Sequence, residues 1–159
     1  MRRKDREISD PKEIFEVMER CQICRLGFYD GGEVYIVPLN FGVEHDGRHV
    51  TLYFHGAREG RKMDLITKNP RVGFEMDTGA EVYAKGNPDV ACGHIARFQS
   101  VIGTGMTSLV QDSEEKRRAL LLLMSHTVGN RGWEFDQKML DAVAVFKVDV
   151  EKFSCKGHE

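Results

Sequence analysis

The stretch that most constrains this 159-residue chain runs from Val50 to Ile66. Val50-Thr51-Leu52-Tyr53-Phe54-His55 is β-branched and aromatic, a composition that suits a strand. After Gly56-Ala57 the apolar residues fall at Met63 and Ile66, a helical spacing. A strand that turns sharply into a helix leaves the first N–H groups of that helix unpaired. Those donors, with the helix dipole, attract an anion. The turn also carries Arg58, Arg61 and Lys62 against one nearby acid, Glu59, and Gly56 and Gly60 permit close backbone approach. Two readings remain open: a phosphate cradle, or a surface helix start whose basic side chains are merely solvated.

Charge makes any such site a local matter. Lys and Arg total 23 and Asp and Glu 25, a formal net charge of −2, so no global field draws nucleic acid to the chain. The hydrophobic share of 41% and the charged share of 30% describe an ordinary globular protein. Its length suits one domain, 1–159, with enough chain to bury a real core. No window approaches the ~18 apolar residues of a membrane span. The charged N-terminus has no apolar run behind it, so a cytoplasmic protein without a membrane partner is expected. Cys21-Gln22-Ile23-Cys24 matches a C-x-x-C pattern, and Cys92-Gly93-His94 offers two further ligands. Against zinc, Cys21 continues a helical apolar face and Cys24 lies in an apolar run, so free thiols and no metal are expected.

Along the chain, Arg2-Arg3-Lys4 reads as a short solvated arm. Asp10-Pro11-Lys12-Glu13 is a helix start with Ile14, Val17, Met18 and Cys21 on one face. Ile23 to Tyr29 reads as a strand, Asp30-Gly31-Gly32 as a hairpin turn and Val34 to Val43 as its partner. Pro38 inside that partner marks an edge, a bulge or a docking place. Glu44-His45-Asp46-Gly47 is a second turn before the strand Arg48 to His55, and the following helix stops before Asn69-Pro70. Arg71 to Met76 and Glu81 to Lys85 read as short strands parted by Asp77-Thr78-Gly79, Gly86 to Arg97 as a loop, and Phe98 to Val110 as a strand bent at Gly103-Thr104-Gly105. Asp112 caps a helix to about His126, a short helix covers Gln137 to Leu140, and Ala142 to Val150 is a final, buried strand. Six or seven strands with two or three helices predict a small antiparallel barrel with peripheral helices, mainly β in an α+β sense.

No nucleophile elbow, zincin motif, Walker sequence or paired-carboxylate site is present. An anion cradle at a strand end, without a Walker lysine and hydroxyl, suits a mononucleotide better than a triphosphate. Redox chemistry would then be delegated to a cofactor. The opening Arg2 to Glu7, Tyr35 to Phe41, Phe54 to Lys62, Asn69-Pro70, Ser100 to Gly103 and Trp133 to Phe135 occur in an order and spacing that carry a resemblance. The chain resembles the FMN-binding split β-barrel proteins related to pyridoxamine 5'-phosphate oxidase, in the branch that contains the nitroimidazole-resistance (Nim) proteins.

That resemblance implies an FMN-dependent oxidoreductase, a flavin reductase or nitroreductase-like enzyme acting on a small-molecule acceptor, built as a homodimer with cofactor at the subunit interface. It implies that Arg61, Lys62 and the Gly56 backbone hold the phosphate and that the ring lies along Pro38, Leu39 and Asn40. His55 lies at the pocket as a candidate proton donor, Ser100 and Val101 adjoin the cofactor, and Trp133 stacks from the partner chain. Many relatives carry Ser or Thr where this chain has Gly56, so that hydroxyl is replaced by backbone or lost. A non-catalytic flavin or haem binding or sensing protein is the alternative. Oxidation of pyridoxamine phosphate itself ranks last, because no additional basic motif is evident near the C-terminus.

Overall fold

The computed structural model describes residues 3–158. In chain order its elements are β1 (Glu7–Ile8), α1 (Pro11–Arg20), β2 (Cys24–Asp30), β3 (Glu33–Leu39), β4 (Gly42–His45), β5 (Val50–Gly56), α2 (Arg61–Lys68), β6 (Arg71–Ala84), β7 (His94–Leu109), α3 (Ser113–Val128), α4 (Gln137–Ala142) and β8 (Ala144–His158). The strands form one antiparallel sheet ordered β3-β2-β6-β7-β8-β5-β4, with β1 added to β8. This is the mainly β split barrel with peripheral helices that the sequence predicts.

Alternation makes the barrel. Leu26 and Phe28 of β2, Val72, Phe74 and Met76 of β6, and Leu52 and Phe54 of β5 are buried on the inner face, while the residues between them face outward or a helix. α1 supplies Ile14, Phe15, Val17 and Met18 to the same core, as its apolar spacing requires. A second cluster, with Tyr53, Leu120, Leu140 and Val145, lies where α3 and α4 cover the other face.

β3 and β4 occupy opposite ends of the strand order, yet only Asn40 and Phe41 separate them in sequence. The chain itself therefore crosses the split. A single strand from Val34 to Val43 is corrected accordingly. Phe41 is fully buried, and the Asn40 amide donates to the Gln22 carbonyl at 3.1 Å. Gly42 lies so near α3 that a Cβ there would sit 2.7 Å from the Leu123 nitrogen. His126, near the end of α3, reinforces the crossing, with its ring nitrogens 2.7 Å from the Phe41 carbonyl oxygen and 3.0 Å from that of Glu19.

Four further expectations are corrected. The turn at Asp77-Thr78-Gly79 is absorbed as a register shift inside the continuous 14-residue β6. The loop read from Gly86 to Arg97 ends earlier, at Gly93, since β7 begins at His94 opposite Ala84 and His94 to Arg97 belong to the hairpin arm. The last strand does not stop near Val150, because β8 continues to His158, paired with β7 and in part with β1. At the N-terminus, Lys4–Arg6 forms a 3-10 turn, Glu7–Ile8 a strand, and Arg3 pairs with Asp5, so the solvated arm read there is corrected from Arg3 onward, while Arg2 lies outside the described residues.

Cys21, Cys24 and Cys155 are buried free thiols. Burial pushes Cys21 up to about 12 and Cys155 up to about 11, so neither supplies a thiolate near neutrality. Among the described residues no helix is long and apolar enough to cross a membrane.

Candidate functional site

The end of β5 is where the sequence placed its anion site. Phe54 faces the core and stacks on Phe146 of β8 at 5.2 Å, its direct cross-strand partner. His55 therefore points the other way, on the face of Tyr53, opposite Val145. Gly56 shares the inward side of Phe54 and pairs with Ala144. Its φ is not positive, so backbone conformation does not demand glycine here. Space does. A Cβ on Gly56 would lie 2.6 Å from the Lys62 ammonium, and that same Nζ sits 5.9 Å from the Phe146 ring centroid. The Lys62 side chain thus folds back over the strand end and occupies the room a side chain at position 56 would take.

α2 differs from the other helices in how it begins. Asp10, Asp112 and Asp136 cap α1, α3 and α4 by accepting from Lys12, Glu115 and Met139 at 2.9, 2.8 and 2.8 Å. The residue before α2 is Gly60, at φ 124°, which has no side chain to offer. A positive φ of that size is the reason for glycine at this point.

Arg61, the first residue of α2, turns toward the β2–β3 hairpin. Its Nε donates to Asp30 at 2.8 Å and a terminal nitrogen donates to Glu33 at 3.3 Å, with the guanidinium 4.7 Å from the Tyr35 ring centroid. Arg58 donates to the Asp141 carbonyl at 3.3 Å and, with Lys116 and Val145, lines a cavity of about 190 Å³ beside the strand end. Of the three cations read in the turn, Lys62 is the one aimed across Gly56. Partial burial and the Lys62 charge hold the His55 pKa below the ordinary 6.5. His55 is therefore mainly neutral at pH 7, which moves any role as proton donor toward acidic pH.

The remaining candidates fall into two groups. Pro38 is exposed on β3, an edge strand bonded only to β2, where it pairs with Arg25. Leu39 leans inward against the core, and Asn40 has committed its amide to Gln22. These three continue the strand that starts beside Arg61. Ser100 and Val101 sit on β7 opposite Lys156 and Cys155. Val101 is fully buried, with its side chain part of the core. Trp133 donates its indole N–H to the Gly129 carbonyl at the end of α3, at 2.9 Å. Sequence reasoning missed Asp30, Glu33, Tyr35 and Phe146 as neighbours of the cradle. Asp30 was legible only as a turn residue and Glu33 was not singled out, although two acids flanking a two-glycine turn are complementary to a cationic helix start.

Comparisons with known proteins agree with this architecture. A crystal structure of a candidate 5-nitroimidazole antibiotic resistance protein from Bacteroides thetaiotaomicron VPI-5482 has a TM-score of 0.79 and 28% identity, covering 96% of this chain and 90% of that one. The flavocytochrome Anf3 of Azotobacter vinelandii has a TM-score of 0.80 at 18% identity, covering 100% and 72%. The FAD and heme binding protein of Mycobacterium smegmatis has a TM-score of 0.80 at 15% identity, covering 97% and 74%. At those two identities the likeness concerns the fold alone. No curated protein matches the chain in sequence. The sequence profile of the pyridoxamine 5'-phosphate oxidase family matches residues 10–157, and the chain belongs to that family.

Proposed function

We propose that this chain binds FMN and works as a flavin-dependent oxidoreductase on small aromatic acceptors, in the manner the nitroimidazole-resistance likeness suggests. The observation that carries the reading is the Lys62 ammonium lying across Gly56 at the uncapped start of α2, next to Arg61. Cation, free helix N–H groups and an absent side chain together suit a phosphate ester. β3 leads away from this point, from Tyr35 beside Arg61 to Leu39, a run of about 13 Å at ~3.3 Å per residue. An exposed edge strand with Pro38 near its end suits the flat face of a flavin ring. Bound there, flavin would supply hydride and single-electron chemistry that side chains lack. Lys62 and Arg61 would hold its phosphate. The neutral His55 would hold or pass a proton at the strand end.

Two of the similar structures, a flavocytochrome and an FAD and heme binding protein, support flavin as the cofactor class. FMN itself rests on the turn's lack of a Walker lysine and hydroxyl, which suits a single phosphate. Arg61→Ala combined with Lys62→Ala is expected to leave the fold intact and to abolish the visible flavin spectrum of protein purified or reconstituted with FMN. Wild-type protein that stays colourless after incubation with FMN refutes the reading. Turnover separates the enzyme from a storage or sensing protein: NAD(P)H-dependent reduction of a nitroaromatic must be seen, and flavin uptake without it would favour the latter.

The outer face of β3, β2, β6 and β7 supports a dimer. Gly27 and Gly73 leave its centre flat, while Val34, Ile36 and Ile102 are 69, 62 and 50% exposed around it. Apolar residues gathered on one flat face mark an interaction surface, and a second copy of the chain is the occupant we infer. Light scattering is expected to give twice the chain mass, with Ile36→Asp plus Ile102→Asp reducing it to one. A wild-type monomer with FMN bound would remove the shared cofactor cleft.

A further inference from the structure

The acid pair that holds Arg61 has no part in the reading above. Asp30 and Glu33 face each other across the Gly31-Gly32 turn, so the turn gathers both carboxylates at one end of the β2–β3 hairpin. α2 starts against that end, and Arg61 bonds to both acids. We propose that Asp30 and Glu33 are a built-in counter-anion for the α2 helix start, which occupies Arg61 until a phosphate-bearing ligand takes it. This rests on the reading that the β5–α2 turn receives the flavin phosphate.

The competition favours the phosphate. The Arg61, Asp30 and Glu33 side chains are 48, 38 and 78% exposed, so these ion pairs are screened by water and salt and are easily given up. A phosphate offers the guanidinium a bidentate acceptor and can also accept from the helix-start N–H groups. Neither carboxylate is bonded to a backbone N–H of α2 in the structure. Lys62, the next residue of α2, can join it, since among the described residues its ammonium lies over Gly56 and the Phe146 ring without an ion-pair partner. The acids thus lower affinity for every anionic ligand and leave an uncharged one untouched, which makes them determinants of ligand charge rather than of ring shape.

FMN and riboflavin share a ring and differ by the phosphate, so titrating both by flavin fluorescence isolates the effect. Asp30→Asn plus Glu33→Gln is expected to tighten FMN about threefold to tenfold while leaving riboflavin within about twofold. Adding Arg61→Ala is expected to erase the gain. FMN affinity that is equal or weaker in the acid-neutral variant overturns the inference while the functional reading stands. No FMN uptake by wild type or any variant overturns both. Glu33→Gln alone, at a mostly exposed side chain, gives a smaller shift of the same sign and serves if the double variant does not fold.

Discussion

Gly103→Ala is expected to destabilise the protein by about 3 kcal/mol, near the upper end of what overpacking a core costs. Gly103 faces inward on β7, between Phe74 of β6 and Phe153 of β8. A Cβ at this position would lie 2.4 Å from the Lys152 carbonyl oxygen and 2.5 Å from the Phe74 ring. Neither neighbour can yield cheaply. The carbonyl belongs to β8 beside the register shift between Thr104 and Gly105, and the Phe74 ring is itself buried in the core. For a chain of this size the loss corresponds to a fall in Tm of roughly 6–12 °C, read by calorimetry. Gly73→Ala is the control: a Cβ there would meet nothing closer than the Gly103 carbonyl at 3.9 Å. Equal melting temperatures for the two variants would refute this account of the barrel bend.

Gly103 also shows what the sequence could and could not reveal. Two glycines in an apolar run announce a bend or bulge, because nothing else explains the loss of side chains in a core strand. What they do not announce is which neighbouring ring fills the space, since Phe74 is distant in sequence. The same holds elsewhere. The helix at Pro11 was legible from its Asp10 cap and apolar spacing, both local. The continuity of β8 was not, because Glu151, Lys152 and Lys156 break the apolar pattern of a strand whose later part is largely exposed. β3 and β4 read as one strand because apolar and β-branched residues continue from Val34 to Val43 through Pro38, Asn40 and Gly42, whose break is visible only in three dimensions. Only the tertiary contacts of Phe41 and Gly42 show the chain leaving one sheet end for the other. At the site, the cations and the helix start were local signals. The pairing of Arg61 with Asp30 and Glu33 depends on where the hairpin comes to rest.

Gly56→Ala is expected to leave stability nearly unchanged and to weaken FMN binding about tenfold. The two outcomes follow from one contact. The added methyl would sit 2.6 Å from the Lys62 ammonium, but this is the far end of a flexible side chain and can swing into water. The backbone at Gly56 is not in the left-handed region, so alanine brings no strain. What is lost is position: Lys62 leaves its place over the Phe146 ring, and a phosphate at the turn loses a preorganised cation. His55 reports the displacement independently of any ligand. Its pKa is depressed partly by the Lys62 charge, so removing that charge from the strand end should raise it toward 6.5, as an NMR titration would record. The sign carries into folding. A histidine that binds its proton less tightly when folded withdraws stability as pH falls through about 6.5, and has no effect well above it. Gly56→Ala should therefore soften the acid side of the stability profile. Were the His55 pKa unmoved and FMN affinity retained, Lys62 would not be the cation that this strand end positions, and the proposed phosphate site would have to rest on Arg61 alone.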